Sequence, residues 1–326
     1  MKILIYSYRK DEEEAIKKFG EKYNVELQLC KEAPSIENAE LARGAACISV
    51  ITTNVTAELI EKFQEVGVRY ISTRTIGYEH IDIKKAKELG ISVGNVTYSP
   101  ESVAEYTIMM MIMITRKMQL IMNRSISQDY SLNKVRGKEL SSMTVGVIGT
   151  GRIGETVIEH LSGFGSKILA YDLCKKEKLI GKAEYVDLEK LIENSDIITL
   201  HIPALKDNIH IINKDIINKM KPDVYIINTS RGSLINTEDL IDGIESGKIA
   251  GAALDVIENE EDIYYKDLKG KVIVNRNLSI LRAFPNVIIT PHTAFYTNEA
   301  VSDMIENSIK SCILFYEGKN NPWKII

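Results

Sequence analysis

The sequence predicts an α/β fold that consists of two doubly wound parallel-sheet domains. Its 326 residues are enough for two domains of ordinary size. Short β-prone runs alternate with helical segments along the chain, which is typical of parallel sheets built from βαβ units. The alternation stops once, at a long methionine-rich stretch, and then begins again, so we expect one sheet before that stretch and one after it.

The first hundred residues form the first α/β unit. Acidic residues open its first helix, and Gly67 and Gly90 end the second and the third. The predicted strands are Lys2–Ser7, Val25–Cys30, Cys47–Ile51 and Arg69–Thr73. The predicted helices are Asp11–Lys22, Thr56–Val66 and Lys84–Leu89.

A long helix is predicted over Ser102–Met122. Its middle is rich in methionine and nearly all apolar, so it must be buried, either between two layers or between two subunits. Its longest apolar run, Ile108–Ile114, has seven residues, far fewer than the ~20 that a membrane-spanning helix needs. The polar residues 124–142 are expected to cross the surface to the second unit.

The second unit begins at Thr144 and is predicted to contain a six-stranded, doubly wound sheet. Its predicted strands are Thr144–Ile148, Lys167–Tyr171, Ile197–Leu200, Val224–Asn228, Ala250–Asp255 and Val287–Thr290. The last helix, near residues 298–317, leads away from this sheet. We expect it to return to the first unit, whose strands need a second covering layer. The expected domains are therefore a discontinuous one, residues 1–100 with 296–326, and one of residues 101–295.

Composition and charge exclude several classes of function. Lys and Arg number 41 and Asp and Glu 45, a net charge of −4, so no basic excess indicates binding to nucleic acid or to an anionic membrane. The four cysteines lie far apart and form no C-x-x-C pair, so we expect neither a metal cluster nor a redox pair. The amino terminus turns polar after five residues, which is unlike a signal peptide and predicts a cytoplasmic location.

A glycine-rich motif, Gly149-Thr150-Gly151-Arg152-Ile153-Gly154, lies between a predicted strand and a predicted helix. The three glycines are suited to a tight turn, to close approach of the backbone to a pyrophosphate, and to close packing of helix on strand. By itself the motif is also compatible with an ordinary βα turn. Asp172, however, ends the next predicted strand, where a carboxylate accepts hydrogen bonds from an adenosine ribose.

Asp172 also predicts which dinucleotide binds. A 2′-phosphate 4 Å from a carboxylate is repelled by about 4 kcal/mol at an effective dielectric constant of 20. NAD(H) is therefore favoured over NADP(H). Lys175 and Lys176 follow closely and would soften this preference if they turned inward; the alternative is a solvated pair of loop charges.

Three segments supply the groups that reduction of a 2-oxo acid requires, a cation for the carboxylate and an acid for the carbonyl oxygen. Arg231 follows a strand, and its guanidinium suits a carboxylate. His292 ends another strand and is the best acid among the five histidines. Glu260 could stabilise that imidazole, although it belongs to the acidic run Glu258–Asp262, which is compatible with a solvated loop. Among the other histidines, we expect His201 to line the nucleotide cleft. His80, His160 and His210 are expected to be structural or exposed.

Taken together, Gly149–Gly154, Asp172, Asn228–Gly232, Asp255 with Glu260, and Pro291–Phe295 resemble the D-isomer-specific 2-hydroxyacid dehydrogenase family, in the same order and at matching intervals. The resemblance covers nearly the whole chain. Within the family, the sequence is most similar to the lactate-forming members, of both the vancomycin-resistance and the fermentative types. The resemblance implies a Rossmann nucleotide domain inserted into a discontinuous, flavodoxin-like substrate domain. It also implies a homodimer, with the methionine-rich helix as the expected interface.

The resemblance assigns roles to individual residues. His292 would be the proton donor, Glu260 its supporting carboxylate and Arg231 the ligand of the substrate carboxylate. The substrate-binding residues would be Ile76, Gly77, Tyr98, Arg231 and Phe295. The cofactor-binding residues would be Gly149, Gly151, Arg152, Ile153, Gly154, Asp172, His201, Ile202, Pro203, Asn208, Thr229, Ser230 and Asp255.

The leading hypothesis is the NADH-dependent reduction of pyruvate to D-lactate. A bulkier 2-oxo acid, such as 2-oxoisocaproate or phenylpyruvate, is an alternative, because one methylene group changes discrimination by only ~1–3 kcal/mol. A nucleotide-sensing protein without turnover is an alternative from a different class. Such proteins add disordered tails for their partners, whereas this chain ends soon after its last helix.

Overall fold

The computed structural model describes residues 1–261 and 263–326, and within these ranges it contains two parallel sheets, one of five strands and one of seven. The chain divides into two compact units, Met1–Ser99 with Tyr296–Ile326, and Pro100–Phe295. The predicted fold class, two parallel-sheet α/β units, is confirmed. Asp262, the last residue of the acidic run, lies outside the described residues.

The elements are numbered in chain order. The strands are β1 Lys2–Ile5, β2 Glu26–Leu29, β3 Cys47–Val50, β4 Tyr70–Thr73, β5 Ser92–Gly94, β6 Thr144–Ile148, β7 Lys167–Tyr171, β8 Glu184–Tyr185, β9 Ile197–Leu200, β10 Val224–Asn228, β11 Ile249–Leu254 and β12 Val287–Ile289. The helices are α1 Glu13–Tyr23, α2 Ala57–Glu65, α3 Ile83–Glu88, α4 Glu101–Thr115, α5 Met118–Ile126, α6 Arg152–Ser162, α7 Leu188–Asn194, α8 Lys214–Lys219, α9 Thr237–Glu245, α10 Arg276–Ala283 and α11 Asn298–Tyr316.

Both sheets reverse their strand order in the middle. The smaller sheet has the order β2-β1-β3-β4-β5, and the larger has β12-β11-β10-β9-β6-β7-β8. Ligands of such sheets bind outside the carboxyl ends of the strands, where the order reverses. The larger sheet has one strand more than the predicted six, because β8 is only two residues long and carries no readable alternation. β5 was not predicted either, because it is only three residues long.

Each face of the smaller sheet is covered by helices. α1 and α11 cover one face, where Ile16, Phe19, Ile305 and Ile309 form a core with β1 and β3 residues. α2 and α3 cover the other face. Because α11 is the last helix of the chain, this unit is built from both ends of the sequence, and both faces of its parallel strands are buried, as such strands require.

The methionine-rich helix differs from the prediction. The stretch Ser102–Met122 is not one helix but two, α4 and α5, because Lys117 adopts a left-handed conformation with φ of 54° that an α-helix cannot continue through. Met110 and Met111 of α4 are fully buried against the larger sheet and α6. α4 is therefore largely an interior layer of its own unit, whereas α5 has no buried residue.

The remaining helices of the larger unit complete its two layers. α4 and α6 cover one face of the sheet, and α7, α8, α9 and α10 contribute to the core on the other. Nowhere in the described ranges does a helix combine the length and the apolarity that a bilayer crossing requires.

Candidate active site

The glycine motif forms a tight connection between β6 and α6. Gly149 has a φ of +95°, and a Cβ atom there would lie 2.6 Å from the carbonyl oxygen of His201. A Cβ on Gly154 would lie 1.9 Å from the carbonyl oxygen of Gly149. A Cβ on Gly151 would instead enter open space. The first and third glycines are thus required by packing, and the second leaves the approach to the amino terminus of α6 open for an anionic group.

Asp172 follows β7 and is bonded to the same loop. Its Oδ2 accepts hydrogen bonds from the backbone N–H of Thr150 at 2.6 Å and from the Thr150 hydroxyl at 3.1 Å, and its Oδ1 accepts one from the N–H of Cys174 at 3.0 Å. Burial raises the pKa of Asp172, but these hydrogen bonds outweigh burial and lower it below its ordinary value. An ionised carboxylate therefore stands beside the glycine loop, where it fits a ribose hydroxyl and repels a 2′-phosphate.

The two lysines near Asp172 do not soften this preference. Lys176 donates to Glu155 at 2.5 Å rather than to Asp172, and Lys175 is exposed. The open Gly151, the helix terminus and the charged Asp172 together fit a dinucleotide without a 2′-phosphate.

His292 and Glu260 form a close hydrogen-bonded pair. His292 Nδ1 lies 2.5 Å from Glu260 Oε1, and the two side chains are 28% and 17% exposed. The other oxygen of Glu260 accepts a hydrogen bond of 2.9 Å from the N–H of Ile257. Since Glu260 engages Nδ1, Nε2 is the ring nitrogen that can give a proton to a substrate.

Asp255 holds the backbone of the loop that carries His292. This fully buried carboxylate accepts hydrogen bonds from the Thr290 hydroxyl at 2.6 Å and from the N–H groups of Thr293 and Ala294, both at 2.9 Å. The N–H of His292 donates to the Asp255 carbonyl at 2.8 Å. The structure thus gives Asp255 a positioning role, and its contact with the cofactor stays a prediction.

Arg231 follows β10 in a loop that Asn228 organises. The Asn228 amide donates to the Arg231 carbonyl at 2.8 Å and accepts from the Ser230 N–H at 3.0 Å. A Cβ on Gly232 would lie 2.1 Å from the carbonyl group of Ile257. Because β10, β11 and β12 are neighbours in the sheet, their carboxyl ends place Arg231, the Glu260 segment and His292 along one edge.

Two aromatic rings flank His292. The Phe295 ring meets it edge to face, with centroids 6.3 Å apart. The Tyr265 ring lies with its centroid 6.2 Å away, and its hydroxyl donates to the His292 carbonyl at 2.7 Å. Sequence reasoning identified Phe295 and missed Tyr265. The only signal for Tyr265 was an aromatic pair, Tyr264–Tyr265, soon after Glu260.

The remaining predicted nucleotide contacts lie after β9 and β10. Burial lowers the pKa of His201 to about 3, so the ring is neutral, and its Nε2 lies 2.9 Å from the Thr199 hydroxyl. The Ser230 hydroxyl donates to the Ile202 carbonyl at 2.5 Å, and the Asn208 amide donates to the Pro203 carbonyl at 2.8 Å. These bonds shape the two loops.

Three further predicted cofactor residues lie in two different places, Thr229 against α4 and Arg152 with Ile153 at the start of α6. The hydroxyl of Thr229 lies 2.8 Å from that of Thr107, so this side chain points into the packing against α4. Arg152 and Ile153 begin α6, and Ile153 packs partly against the core.

Three predicted substrate residues belong to the first unit. The carbonyl of Ile76 accepts a hydrogen bond of 2.7 Å from Asn95, and that of Gly77 accepts one of 2.6 Å from the Thr75 hydroxyl. Tyr98 is half-buried. Across the described ranges, no group of three or more His, Cys, Asp or Glu side chains is arranged to hold a metal ion.

The chain is similar to known dehydrogenases and reductases of 2-oxo acids. Residues 108–294 match the family model of the D-isomer specific 2-hydroxyacid dehydrogenase, NAD binding domain. A D-specific alpha-keto acid dehydrogenase of Enterococcus faecalis is 45% identical over 316 residues, 97% of each chain. An aromatic 2-oxoacid reductase of Clostridium sporogenes is 45% identical over 309 residues, 94% of this chain and 93% of the relative. The crystal structure of a D-lactate dehydrogenase from Treponema pallidum has a TM-score of 0.92 and 32% identity over the whole of both chains.

Proposed function

Because the chain belongs to the D-isomer-specific 2-hydroxyacid dehydrogenase family and is an NAD-dependent enzyme of that class, we propose that it reduces pyruvate to D-lactate. The observation that carries the catalytic part of the proposal is the 2.5 Å pair of His292 and Glu260, at the sheet edge that also bears Arg231. A nucleotide sensor without turnover would not need this pair.

Each residue has one task in the proposed reaction. NADH, when bound, supplies the hydride that adds to the carbonyl carbon. Arg231 binds the substrate carboxylate and so fixes the orientation of the carbonyl group. His292 donates a proton from Nε2 to the carbonyl oxygen, and Glu260 stabilises the imidazolium before that transfer. The proposal also assigns substrate contacts to Phe295 and to the first-unit residues Ile76, Gly77 and Tyr98.

The cofactor assignments follow the geometry of the loops. We assign the pyrophosphate to Gly149–Gly154 and the adenosine ribose to Asp172. The further proposed contacts are His201, Ile202, Pro203, Asn208, Thr229, Ser230 and Asp255. The first unit would serve as the substrate domain, Pro100–Phe295 as the nucleotide domain, and the reaction would take place in the cytoplasm.

The size of the substrate side chain can be determined by comparing kcat/KM for a series of 2-oxo acids. Two relatives at equal identity do not agree on a side chain, because one name gives only alpha-keto acids in general and the other gives aromatic 2-oxo acids. We expect kcat/KM, followed by NADH absorbance, to be highest for pyruvate and to fall along a ladder of 2-oxobutyrate, 2-oxoisocaproate and phenylpyruvate. A maximum at phenylpyruvate would replace pyruvate with an aromatic substrate, and formation of L-lactate would contradict the stereochemistry.

We further propose that the protein is a homodimer, with α5 and the residues after it in the interface. Met122, Ile126, Tyr130 and Leu132 are large apolar side chains that are 56%, 83%, 77% and 87% exposed, more apolar surface than a short segment normally leaves in water. Light scattering is expected to give twice the mass of one chain for the wild type and less for Ile126→Glu. An unchanged dimer in Ile126→Glu with Leu132→Glu would place the interface elsewhere.

A further inference from the structure

A second histidine–glutamate pair lies close in sequence to the catalytic one and takes no part in the proposed chemistry. His210 Nε2 lies 2.6 Å from Glu258 Oε1. Glu258 is separated from Glu260 by a single residue. The sequence alone indicated only an exposed or structural role for His210 and a solvated acidic run for Glu258.

The carboxylate of Glu258 joins three parts of the chain. Its Oε2 accepts hydrogen bonds from the backbone N–H of Thr237 at 3.0 Å and from the Thr237 hydroxyl at 2.5 Å. Thr237 is the first residue of α9, and His210 lies in the loop after β9. Burial raises the pKa of Glu258, but the hydrogen bonds from Thr237 and His210 outweigh burial and lower it, so this carboxylate is ionised at neutral pH.

His210 is itself held in one orientation. The backbone N–H of His210 donates to the Ser233 carbonyl at 2.8 Å, and the backbone carbonyl of His210 accepts from the Asn213 side-chain amide at 3.0 Å. Its φ of 56° lies in the left-handed region, which is unfavourable for a residue with a bulky side chain. A backbone in this conformation must be held by its surroundings, and here it aims the ring at Glu258.

The turn between the two glutamates is tight. The N–H of Ile257 donates to Glu260, closing the turn on itself, and Asn259 has a φ of 58°. On one side the turn is pressed against Gly232, because a Cβ there would lie 2.5 Å from the Glu258 nitrogen. The hydrogen bonds of Glu258 therefore anchor the same turn that sets the direction of Glu260.

We propose that His210 and Glu258, together with Thr237, are positioning residues that hold the 257–260 turn and so aim the Glu260 carboxylate at His292. The inference rests on the proposed function, since it needs Glu260 to support the proton donor. His210 and Glu258 touch neither substrate nor cofactor in this scheme, and they act only through Glu260.

The test compares Glu258→Ala with Glu258→Gln in the full-length enzyme. Glu258→Ala removes the hydrogen bonds that the Glu258 side chain makes with Thr237 and His210, so we expect kcat to fall about tenfold, the value of one lost hydrogen bond to a charged group. The alkaline limb of the pH–rate profile of reduction should also move to lower pH, because a misdirected Glu260 no longer stabilises the imidazolium. Glu258→Gln, which still accepts from Thr237, should recover part of both effects, and KM for NADH should not change.

A matched control lies elsewhere in the same unit. His160 Nε2 lies 2.8 Å from Glu101, a pair of the same chemistry with no link to Glu260. His160→Asn should leave the pH profile as in the wild type, whereas His210→Asn should move it. If Glu258→Ala unfolds, Thr237→Val, which keeps the backbone donor and loses only the hydroxyl, should give a smaller shift in the same direction.

The double variant with Glu260→Gln separates the two hypotheses. If Glu258 acts through Glu260, adding Glu258→Ala to Glu260→Gln should lower kcat by less than twofold more, which is a strongly non-additive result. Additive losses, or a wild-type profile in both Glu258→Ala and His210→Asn, would overturn the positioning role. Full activity of Glu260→Gln itself would overturn the proposed function instead.

Discussion

Replacing Glu260 with Gln removes the charge beside His292 and keeps the shape of the side chain. Reduction requires the protonated imidazole, because only that form can give a proton to the carbonyl oxygen. Glu260 stabilises this form through Oε1, 2.5 Å from His292 Nδ1. Without the carboxylate, the protonated ring has no compensating charge beside it, so the activity of the variant should fall, and most steeply at high pH.

The size of the loss follows from the exposure of the pair. The side chains of His292 and Glu260 are 28% and 17% exposed, so the effective dielectric constant lies between that of water and the value of about 20 found near protein surfaces. Two unit charges about 4 Å apart then attract each other by about 1 to 4 kcal/mol. At about 1.4 kcal/mol for each factor of ten, kcat/KM on the alkaline side of the profile should fall by about fivefold to about a thousandfold.

The assay is kcat/KM for the 2-oxo acid at saturating NADH, measured from about pH 5 to pH 10, which reports the protonation of the enzyme–NADH complex before the 2-oxo acid binds. Glu261→Gln is the matched control, since it removes the same charge from an exposed position one residue further on. An alkaline limb that stays in place in Glu260→Gln would refute the role of this carboxylate, even if kcat fell.

Other predictions concern binding, cofactor choice and stability. Arg231→Ala should raise KM for the 2-oxo acid by about 100-fold, as the loss of a charge-assisted bidentate contact implies; an unchanged KM would place the carboxylate elsewhere. His292→Ala should lower kcat by about 100-fold or more, the usual contribution of a general acid, in stopped-flow traces of NADH oxidation. Asp172→Asn keeps an acceptor for Thr150 and removes the charge, so the ratio of kcat/KM for NADPH to that for NADH should rise about tenfold or more; a constant ratio would contradict the electrostatic argument. Tyr264→Phe should raise the free energy of unfolding by about 1 kcal/mol in urea denaturation, because within the described ranges the buried Tyr264 hydroxyl has no hydrogen-bond partner; a loss of stability would mean that the hydroxyl is satisfied.

The local sequence pattern was sufficient to predict the candidate site residues that come soon after buried strands. Buried parallel strands are continuous apolar runs, and a candidate functional residue comes soon after each run: Arg231 is the third residue after β10, and His292 is the third after β12. The glycine motif was equally readable, because its backbone geometry requires residues without a Cβ at Gly149 and Gly154. These features depend on neighbours in sequence, and the family resemblance added the order in which they occur.

Features that depend on contacts between distant loops could not be predicted. Tyr265 reaches the carbonyl of a residue 27 positions away, and His210 reaches Glu258 across 48 positions. Both residues adopt a positive φ, which is uncommon outside glycine and was not indicated by the residues around them. The break at Lys117 was missed for the same reason, since the residues around it favour a helix and only the fold shows the left-handed turn.

The acidic side chains after β11 show why composition alone misleads at this site. Asp255, Glu258 and Glu260 lie within six residues of one another, and composition alone would assign the acidic run that begins at Glu258 to a solvated loop. Each has instead its own donors: the backbone of the His292 loop for Asp255, Thr237 and His210 for Glu258, and Ile257 and His292 for Glu260. The three carboxylates thus bind different partners, although they lie close together in sequence. Asp255 thereby holds the loop that carries His292, and Glu258 holds the turn that carries Glu260. Glu260 in turn contacts His292 itself.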